Sequence, residues 1–332
     1  MTGAHGLLGS WLVRALLERD ERVVVLRHGP APDSALVLDG FEAQCTVVDG
    51  DVLDGHGLSS AMAHQDVGSV FHLAAQPIAG TALRSPEATF DANIRGTWTV
   101  LKACRDHGVG SVVVAGSQTA YGRAGRQPKR EDDCLRPSTP YDASKAAADL
   151  VARSYAHSFG VPVAVTRFAN TYGGGDRQTS RLVTGAVAAA LAGRDPVVRS
   201  DGSPERDFLY VEDAVGAYLA IADRLQEPGG GGASGEAFNA GGQRRHCVLE
   251  VVERICSAAG TGVHPDVQGA PVPADDVDRQ WVDASKLTEL AGWRPQVGLE
   301  EGIERTLAWY RARPASLGAP AAALAAPMSR GH

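Results

Sequence analysis

Cysteine is scarce in this sequence and is not arranged for disulfide bonds or metal binding. The 332 residues include five cysteines, none of them in a CxxC pair, and an odd number cannot all be paired. A disulfide framework and a structural zinc site are therefore not expected. We interpret these residues as reduced thiols, partly in the core, and we predict no bound metal. They are Cys45, Cys104, Cys134, Cys247 and Cys256.

The sequence also lacks long apolar runs and an excess of positive charge. No uninterrupted apolar stretch reaches the roughly 18 residues that a membrane span requires. No signal peptide precedes the first motif, so we expect a cytoplasmic protein that does not bind membranes. The formal net charge of -7 and the pI of about 5.8 argue against nonspecific nucleic-acid binding. The apolar fraction, 44%, is ordinary for a globular protein.

The first two thirds of the chain alternate β-branched segments with amphipathic segments of helical length. Such alternation predicts an α/β fold with a doubly wound parallel sheet, in which ligands bind beyond the carboxyl ends of the strands. After about residue 175 the alternation weakens. The predicted strands are residues 23–26, 45–48, 69–73, 111–115 and 161–165, and the main helices between them are 10–19, 86–107 and 141–159.

A glycine pattern opens the chain. Residues 2–9 read TGAHGLLG, which has the GxxGxxG spacing of a Rossmann phosphate loop. The glycines permit a tight turn, close approach of the backbone to a pyrophosphate, and close packing of a helix on a strand. Because only Met1 and Thr2 precede the loop, we expect a shortened central strand. The loop residues predicted to contact the cofactor are Gly3, Gly6, Leu7, Leu8 and Gly9.

The residue that ends the strand at 23–26, which is the second strand of a Rossmann fold, usually selects the cofactor. An acidic side chain there accepts the ribose 2′-hydroxyl of NAD, whereas arginine suits the 2′-phosphate of NADP. This sequence has Arg27 followed by His28 and no acid at that place, which favours NADP over NAD. A solvated arginine without a binding role is the alternative. Asp51 and Val52 follow the predicted strand at 45–48 and are predicted to contact the adenine end of the cofactor.

A second motif, YDASK at 141–145, indicates proton chemistry. Tyr141 and Lys145 are four residues apart at the start of a predicted helix, so both side chains share one face. Tyrosine has an unperturbed pKa of about 10 and is a poor base at neutral pH unless a nearby cation lowers that pKa. Lys145 is expected to supply the charge. Ser117, just after the strand at 111–115, is expected to hold the same substrate oxygen as Tyr141.

The glycine loop, the serine after a strand and the YDASK motif occur in the order that one enzyme family shows. From residue 2 to about residue 310 the sequence resembles extended short-chain dehydrogenases/reductases of the NAD-dependent epimerase/dehydratase family. The resemblance implies an enzyme that holds NAD or NADP tightly, oxidises a nucleoside-diphosphate sugar, usually at C4, and later returns the hydride. The motifs that carry it are TGAHGLLG, HLAAQ (72–76), ANIRGT (92–97), GSQTAYG (116–122), YDASK (141–145), RFANTYGGGD (167–176), RDFLYVEDA (206–214) and VDASK…GWRP (282–295).

The resemblance also implies roles for individual residues. The catalytic set is Ser117, Tyr141 and Lys145. Two alanines after the predicted strand at 69–73 flank the cofactor, and an asparagine from the next helix closes on it. These cofactor residues are Ala74, Ala75 and Asn93.

On the substrate side, the resemblance implies that Arg206 binds the diphosphate, where a bidentate guanidinium fits well. A surface ion pair with Glu205 or Asp207 is the alternative for this arginine. Many relatives have a further arginine about where Pro273 stands. Either Arg199 or Arg279 is the expected substitute, or the substrate lacks the usual diphosphate. The predicted substrate residues are Gln118, Thr119, Asn170, Leu182, Arg199, Arg206 and Arg279.

The two residues after the catalytic serine distinguish the reactions of the family. Its 4,6-dehydratases carry an acid pair there, whereas this chain has Gln118 and Thr119, neither of which does acid–base work at neutral pH. This departure favours an epimerase in which Tyr141 moves the hydroxyl proton. A 4-ketoreductase is an alternative suggested by Arg27. A 4,6-dehydratase is another, because SWL, HLAAQP and NTYGGGD are similar to CDP-glucose 4,6-dehydratases.

A nonenzymatic cofactor-sensing or scaffold protein is the alternative from another class, suggested by the short first strand. The fold that the resemblance implies is a Rossmann-type domain in residues 1–175 with a smaller C-terminal substrate-binding lobe in 176–313, parts of which return to the first domain. Residues 314–332 are expected to be disordered. A homodimer is also implied, in which helices 86–107 and 141–159 pair with their copies.

Overall fold

A computed structural model describes residues 1–122, 128–270 and 279–317. Within these ranges no helix is long and apolar enough to cross a membrane. The prediction of a disordered tail is wrong for Pro314–Leu317, which form a short 3₁₀ helix because Leu317 packs against the apolar cluster of the second lobe. The rest of that tail, 318–332, and Pro273 lie outside the described residues.

Strands and helices alternate along the described chain. The strands are β1 (Val24–Arg27), β2 (Thr46–Asp49), β3 (Ser69–His72), β4 (Ser111–Ala115), β5 (Val163–Phe168), β6 (Asn170–Tyr172), β7 (Val197–Val198), β8 (Glu205–Tyr210), β9 (Ala237–Ala240), β10 (Arg245–Cys247), β11 (Asp266–Val267) and β12 (Arg279–Gln280). The helices are α1 (Leu7–Leu17), α2 (Ala35–Leu38), α3 (Gly55–Gln65), α4 (Ala79–Arg84), α5 (Pro86–Phe90), α6 (Gly96–Asp106), α7 (Pro140–Phe159), α8 (Leu182–Leu191), α9 (Val211–Leu225), α10 (Val248–Ala259), α11 (Ser285–Ala291) and α12 (Leu299–Ala312).

The main sheet is parallel and is joined at its centre by Thr2. Strands β1 and β2 form one part, and β3, β4, β5 and β9 follow in that spatial order in the other. Thr2 bridges the two parts, pairing with Leu26 on one side and His72 on the other. Its N–H donates to the Phe71 carbonyl at 3.0 Å. Met1 adds to this junction, because its carbonyl accepts from the Leu26 N–H at 2.9 Å.

Helices cover both faces of this sheet. Alternate residues of β4 point to opposite sides, so Val113 packs with Leu12 of α1 and with α9, while Val112 and Val114 pack with α3, α6 and α7. This confirms the doubly wound α/β fold. Ligands bind at the carboxyl edge of such sheets, where the loops after β3, β4 and β5 meet.

The second lobe is a smaller mixed layer beside that edge. Strand β8 pairs with β6, β10 and β12, and helices α8, α10 and α12 pack with it around a separate apolar cluster. The chain then returns to the main sheet, because β9 pairs with β5 and Leu287 of α11 joins the core beneath it.

The predicted helix at 86–107 is interrupted. It consists of α5, a π-helical turn at Asp91–Arg95, and α6. The wide turn brings the Asn93 side chain against the loop after β3, where its Oδ1 accepts from the Gln76 N–H at 2.7 Å. Insertions of this kind are often found at functional sites.

Candidate active site

The glycine loop makes a close approach to the loop after β3. Gly3 has a φ of +73°, and a Cβ at this position would lie 2.6 Å from the Ala74 nitrogen, so only glycine fits. A Cβ on Gly9 would lie 2.1 Å from the Gly3 oxygen, so α1 packs directly on the loop backbone. Helix α1 begins at Leu7, and the N–H groups of its first turn attract an anion. The loop therefore fits a dinucleotide pyrophosphate.

A cavity of about 460 Å³ extends from this loop to the ends of β4 and β5 and to the second lobe. It brings together the glycine loop, the predicted catalytic set and part of the predicted substrate set. The predicted residues that line it are Gly3, Gly6, Leu7, Leu8, Gly9, Ala75, Ser117, Gln118, Thr119, Tyr141, Lys145, Asn170, Leu182 and Arg206.

Helix α7 presents Tyr141 and Lys145 to this cavity. Lys145 is buried, its Nζ donates to the Ala115 carbonyl at 2.8 Å, and burial lowers its pKa to about 8. Burial raises the pKa of Tyr141, and the charge of Arg181 and a hydrogen bond with Ser117 oppose that rise. The Lys145 ammonium bonds the carbonyl at the end of β4, and Arg181 is a further cation that lowers the pKa of Tyr141.

A row of hydroxyl groups leads away from Tyr141. The Ser117 and Thr119 hydroxyl oxygens are 3.0 Å apart, and the Thr119 N–H donates to the Ser117 oxygen at 3.2 Å. Ser117 lies beside Tyr141 at one end, and Thr119 lies beside Asp142 at the other. Asp142 follows Tyr141 in the YDASK motif but was not among the predicted site residues, because nothing in the sequence shows that Thr119 reaches it.

Gln118 is a buried amide without a protein partner. Its side chain is 6% exposed, it lines the cavity, and neither its oxygen nor its nitrogen has a hydrogen-bond partner in the described residues. Leaving such a group unpaired costs about 1–3 kcal/mol. The amide therefore fits a role in binding a polar ligand.

Two arginines line the end of the cavity that faces the second lobe. Arg181 lines it and is held by Asp176 at 2.9 Å, while Thr184 donates to the same carboxylate oxygen at 3.0 Å. Sequence reasoning missed Arg181, although its position directly before α8 was a usable signal. Arg206 also lines the cavity, and the Glu205 carboxylate beside it is occupied by other arginines, at 2.7 Å from Arg245 and 2.9 Å from Arg279.

At the adenosine side, Arg27 is paired with an acid on the next strand. Its Nε and Nη2 donate to the two carboxylate oxygens of Asp49 at 2.6 and 2.9 Å. Glu42 lies 3.8 Å from the same guanidinium and 2.7 Å from His5 of the glycine loop. The acid missing after β1 is therefore supplied by β2, whose register sets Asp49 opposite Arg27.

Several predicted residues lie outside the lining of the cavity. Asn93 is buried. Its amide links the loop after β3 to α7, because it donates to the Gln76 carbonyl at 3.1 Å and to the Ser144 hydroxyl at 2.9 Å. Arg199 is exposed after β7, and Arg279 is held by Glu205. The structure thus does not bring Asn93, Arg199 or Arg279 into the cavity.

The remaining predicted cofactor residues lie beside the glycine loop or nearer the adenosine side. The Ala74 N–H donates to the Thr2 hydroxyl at 3.2 Å. The Asp51 carboxylate caps the Leu53 N–H at 2.9 Å. Val52 packs so closely under α6 that a Cβ on Gly96 would lie 2.9 Å from it. Among the described residues, no group of three His, Cys, Asp or Glu side chains is arranged to hold a metal.

Comparisons with known proteins agree with this geometry. The model of the NAD dependent epimerase/dehydratase family matches residues 1–241. A dTDP-glucose 4,6-dehydratase from Streptomyces griseus is 33% identical, with 93% of each chain covered. A UDP-glucose 4-epimerase from Mycolicibacterium smegmatis is also 33% identical, covering 94% of this chain and 97% of that protein. The solved structure of a Thermus thermophilus UDP-glucose 4-epimerase in complex with NAD has a TM-score of 0.81 at 29% identity, covering 94% of this chain and 98% of the other.

Proposed function

This chain belongs to the NAD-dependent epimerase/dehydratase family, and on that premise we propose that it epimerises C4 of a nucleoside-diphosphate sugar through a 4-keto intermediate. The observation that carries the choice of reaction is the pair Gln118 and Thr119, which line the cavity beside Tyr141 and are both neutral. Elimination of water needs an acid and a base at that place. Epimerisation needs only a group that takes the C4 hydroxyl proton and returns it.

The residues of this site suit that sequence of events. Bound NAD supplies the hydride acceptor and donor. Tyr141 takes the proton of the C4 hydroxyl, while Ser117 holds the same oxygen in position. Gln118 offers an amide to a sugar hydroxyl on the other side, and a contact of this kind can be remade after the keto sugar turns over.

Two arginines support a diphosphate substrate. Arg181 and Arg206 line the same end of the cavity, on different elements. A diphosphate is recognised well by guanidinium groups, which donate two parallel hydrogen bonds. The Asn170 amide, which bonds the Asp207 carbonyl at 3.1 Å, is available beside them to contact the phosphate region.

For the cofactor, the family is NAD-dependent, and we propose NAD rather than the NADP that Arg27 suggests in the sequence. The guanidinium of Arg27 already donates to both oxygens of Asp49, and Glu42 lies near it. A 2′-phosphate would have to approach these two carboxylates. A ribose 2′-hydroxyl can instead donate to one of them.

Exposed apolar side chains on four helices support a homodimer, and the free cysteines support a reducing location. Leu83, Phe90, Trp98 and Leu150 are 37–59% exposed on the helices α4 to α7, and large exposed apolar patches mark interaction sites. All five cysteines are unpaired, which suits the cytoplasm. We therefore propose a cytoplasmic homodimer that pairs through these helices.

The decisive experiment incubates the purified protein with UDP-, GDP-, CDP- and dTDP-linked hexoses and identifies the products by NMR. Interconversion of C4 epimers without net use of cofactor is the expected result. A 4-keto-6-deoxy product would replace this proposal with the 4,6-dehydratase, which the curated relative from Streptomyces griseus favours. Stoichiometric consumption of NADPH would instead indicate a ketoreductase.

A further inference from the structure

We propose that Glu42, held by His5 of the glycine loop, receives the 2′-hydroxyl of the adenosine ribose and disfavours the 2′-phosphate of NADP. The His5 Nε2 lies 2.7 Å from a carboxylate oxygen of Glu42, and the two side chains are 13% and 22% exposed. The inference rests on the proposed function, because it takes NAD as the cofactor. It adds the identity of the side chain that selects the nucleotide.

Glu42 lies between the two elements that flank the adenosine ribose in a Rossmann fold. One is the glycine loop, to which His5 belongs and whose backbone approaches the pyrophosphate. The other is the end of β1, where the Arg27 guanidinium lies 3.8 Å from the same Glu42 oxygen. A side chain that reaches both elements lies where the ribose hydroxyls have to be bound.

The packing of the segment before β2 fixes Glu42 in this place. Glu42 opens the one-turn 3₁₀ helix Glu42–Gln44, and the residues on either side of this helix, Phe41 and Cys45, pack against an apolar cluster. That cluster includes Ala4 of the glycine loop. The helix therefore cannot move away from the loop without exposing apolar side chains to water, which is unfavourable.

A count of hydrogen bonds leaves one oxygen of Glu42 for a ligand. An ionised carboxylate only accepts, so His5 is the donor and its Nε2 carries the proton. The 3.8 Å separation from Arg27 is longer than a hydrogen bond. Within the described ranges no hydrogen bond reaches Oε2 of Glu42, since the contacts with His5 and Arg27 are both made by Oε1. A ribose hydroxyl can donate to that second oxygen.

Asp49, the other acid beside Arg27, is less suited to bind the ribose. Both of its oxygens accept from the Arg27 guanidinium, at 2.6 and 2.9 Å, and its side chain is 70% exposed. Its part is to neutralise Arg27. One arginine between two carboxylates leaves an excess of negative charge, and a 2′-phosphate, which carries about 1.5 to 2 negative charges, is repelled by it.

The test measures the binding of three nucleotides to the purified full chain by calorimetry: NAD⁺, its analogue with 2′-deoxyadenosine, and NADP⁺. The parent protein should bind NAD⁺ about ten- to hundredfold more tightly than the deoxy analogue, the value of a hydrogen bond to a charged group. Glu42→Ala should abolish this preference. Glu42→Gln keeps an accepting oxygen without the charge, so it should retain a part of the preference. Both variants should bind NADP⁺ better, relative to NAD⁺, than the parent does.

His5 is tested as a positioning residue by rescue. His5→Leu removes the donor that holds Glu42 and should lower the preference for NAD⁺ over the deoxy analogue. His5→Gln keeps an N–H donor and should restore most of that preference. A purely structural role would weaken the binding of both nucleotides equally, and the ratio of their affinities would then stay at the parent value.

Glu18→Gln is the matched control, since it removes an acid that pairs with Arg14 near the far end of α1. It should leave all three affinities unchanged. A Glu42→Ala variant that keeps the full preference for NAD⁺ over the deoxy analogue would overturn the assignment of Glu42 alone. A parent protein that binds NADP⁺ more tightly than NAD⁺ would overturn the choice of cofactor as well. Neither measurement needs a sugar substrate, so both are independent of the proposed epimerase activity.

Discussion

Arg167 on β5 and Asp149 on α7 form a two-point ion pair that is closed to solvent. The Nε and Nη2 of Arg167 donate to the two carboxylate oxygens at 2.7 and 2.9 Å, and each side chain is 1% exposed. Asp149 lies one helical turn after Lys145. The pair therefore fixes the rotation of the helix that carries Tyr141 and Lys145.

Removing one partner of this pair should be costly. Asp149→Asn leaves a buried guanidinium without its charge partner, and we expect the free energy of unfolding to fall by about 3–5 kcal/mol. Urea denaturation of the single variant and of the double variant Asp149→Leu, Arg167→Met tests this. The double variant should lose less, because it buries no unpaired charge. Equal losses of unfolding free energy in the single and double variants would show that the unpaired charge of Arg167 is not the cause.

Asp49 should determine the choice of cofactor. Asp49→Asn removes the carboxylate that holds Arg27 and frees its guanidinium for a 2′-phosphate, a charge-assisted contact. We expect the ratio of NADP⁺ to NAD⁺ affinity, measured by calorimetry, to rise about tenfold. Glu18→Gln is the control, since Glu18 pairs with Arg14 near the far end of α1. An unchanged ratio in the Asp49 variant would leave Arg27 without a part in selection.

Lys145 should destabilise the protein at neutral pH. Burial lowers its pKa from 10.5 to about 8. Below pH 8 the folded protein therefore buries a charged ammonium, whose free energy is higher there than in the solvated unfolded chain. Lys145→Met should raise the free energy of unfolding at pH 7 by about 1–3 kcal/mol, after the lost bond to Ala115 is counted. The gain should shrink as the pH rises from 8 to 10.5. A gain independent of pH would mean that packing, not charge, is responsible.

The order of elements was predictable because local patterns determine it. Helix α7, predicted at 141–159 and found at Pro140–Phe159, follows from side-chain periodicity, which also sets Tyr141 and Lys145 on one face. The interruption at Asp91–Arg95 was not predictable, since it depends on the contact of Asn93 with Gln76 in another loop. A periodic sequence cannot show which turn of a helix a distant loop will widen.

The candidate site divides in the same way. Motif spacing identified Ser117, Tyr141 and Lys145, which meet in one cavity. It did not identify the pairing of Arg27 with Asp49, which are 22 residues apart and meet through the register of β1 and β2. Charges brought together by strand pairing are visible only when the register is known.

The exposed apolar residues of α4 to α7 should hold the dimer together. Leu150 is 58% exposed on α7, so Leu150→Glu should convert the dimer to a monomer in sedimentation velocity. Leu38, which is 44% exposed on α2, provides the control, because Leu38→Glu should leave the dimer intact. A parent protein that sediments as a monomer at micromolar concentration would refute the interface.

Gln118 should lower the stability of the free protein and strengthen the binding of the sugar nucleotide. Its amide is buried with both polar atoms unpaired, so Gln118→Met keeps the volume and removes the cost of burial. We expect the free energy of unfolding without substrate to rise by about 1–3 kcal/mol, and the KM for the sugar nucleotide to rise as well. Gln226→Met is the control, because Gln226 is exposed and bonds Ser69 at the surface. A Gln118 variant that is less stable than the parent would show that the amide serves the fold rather than the substrate.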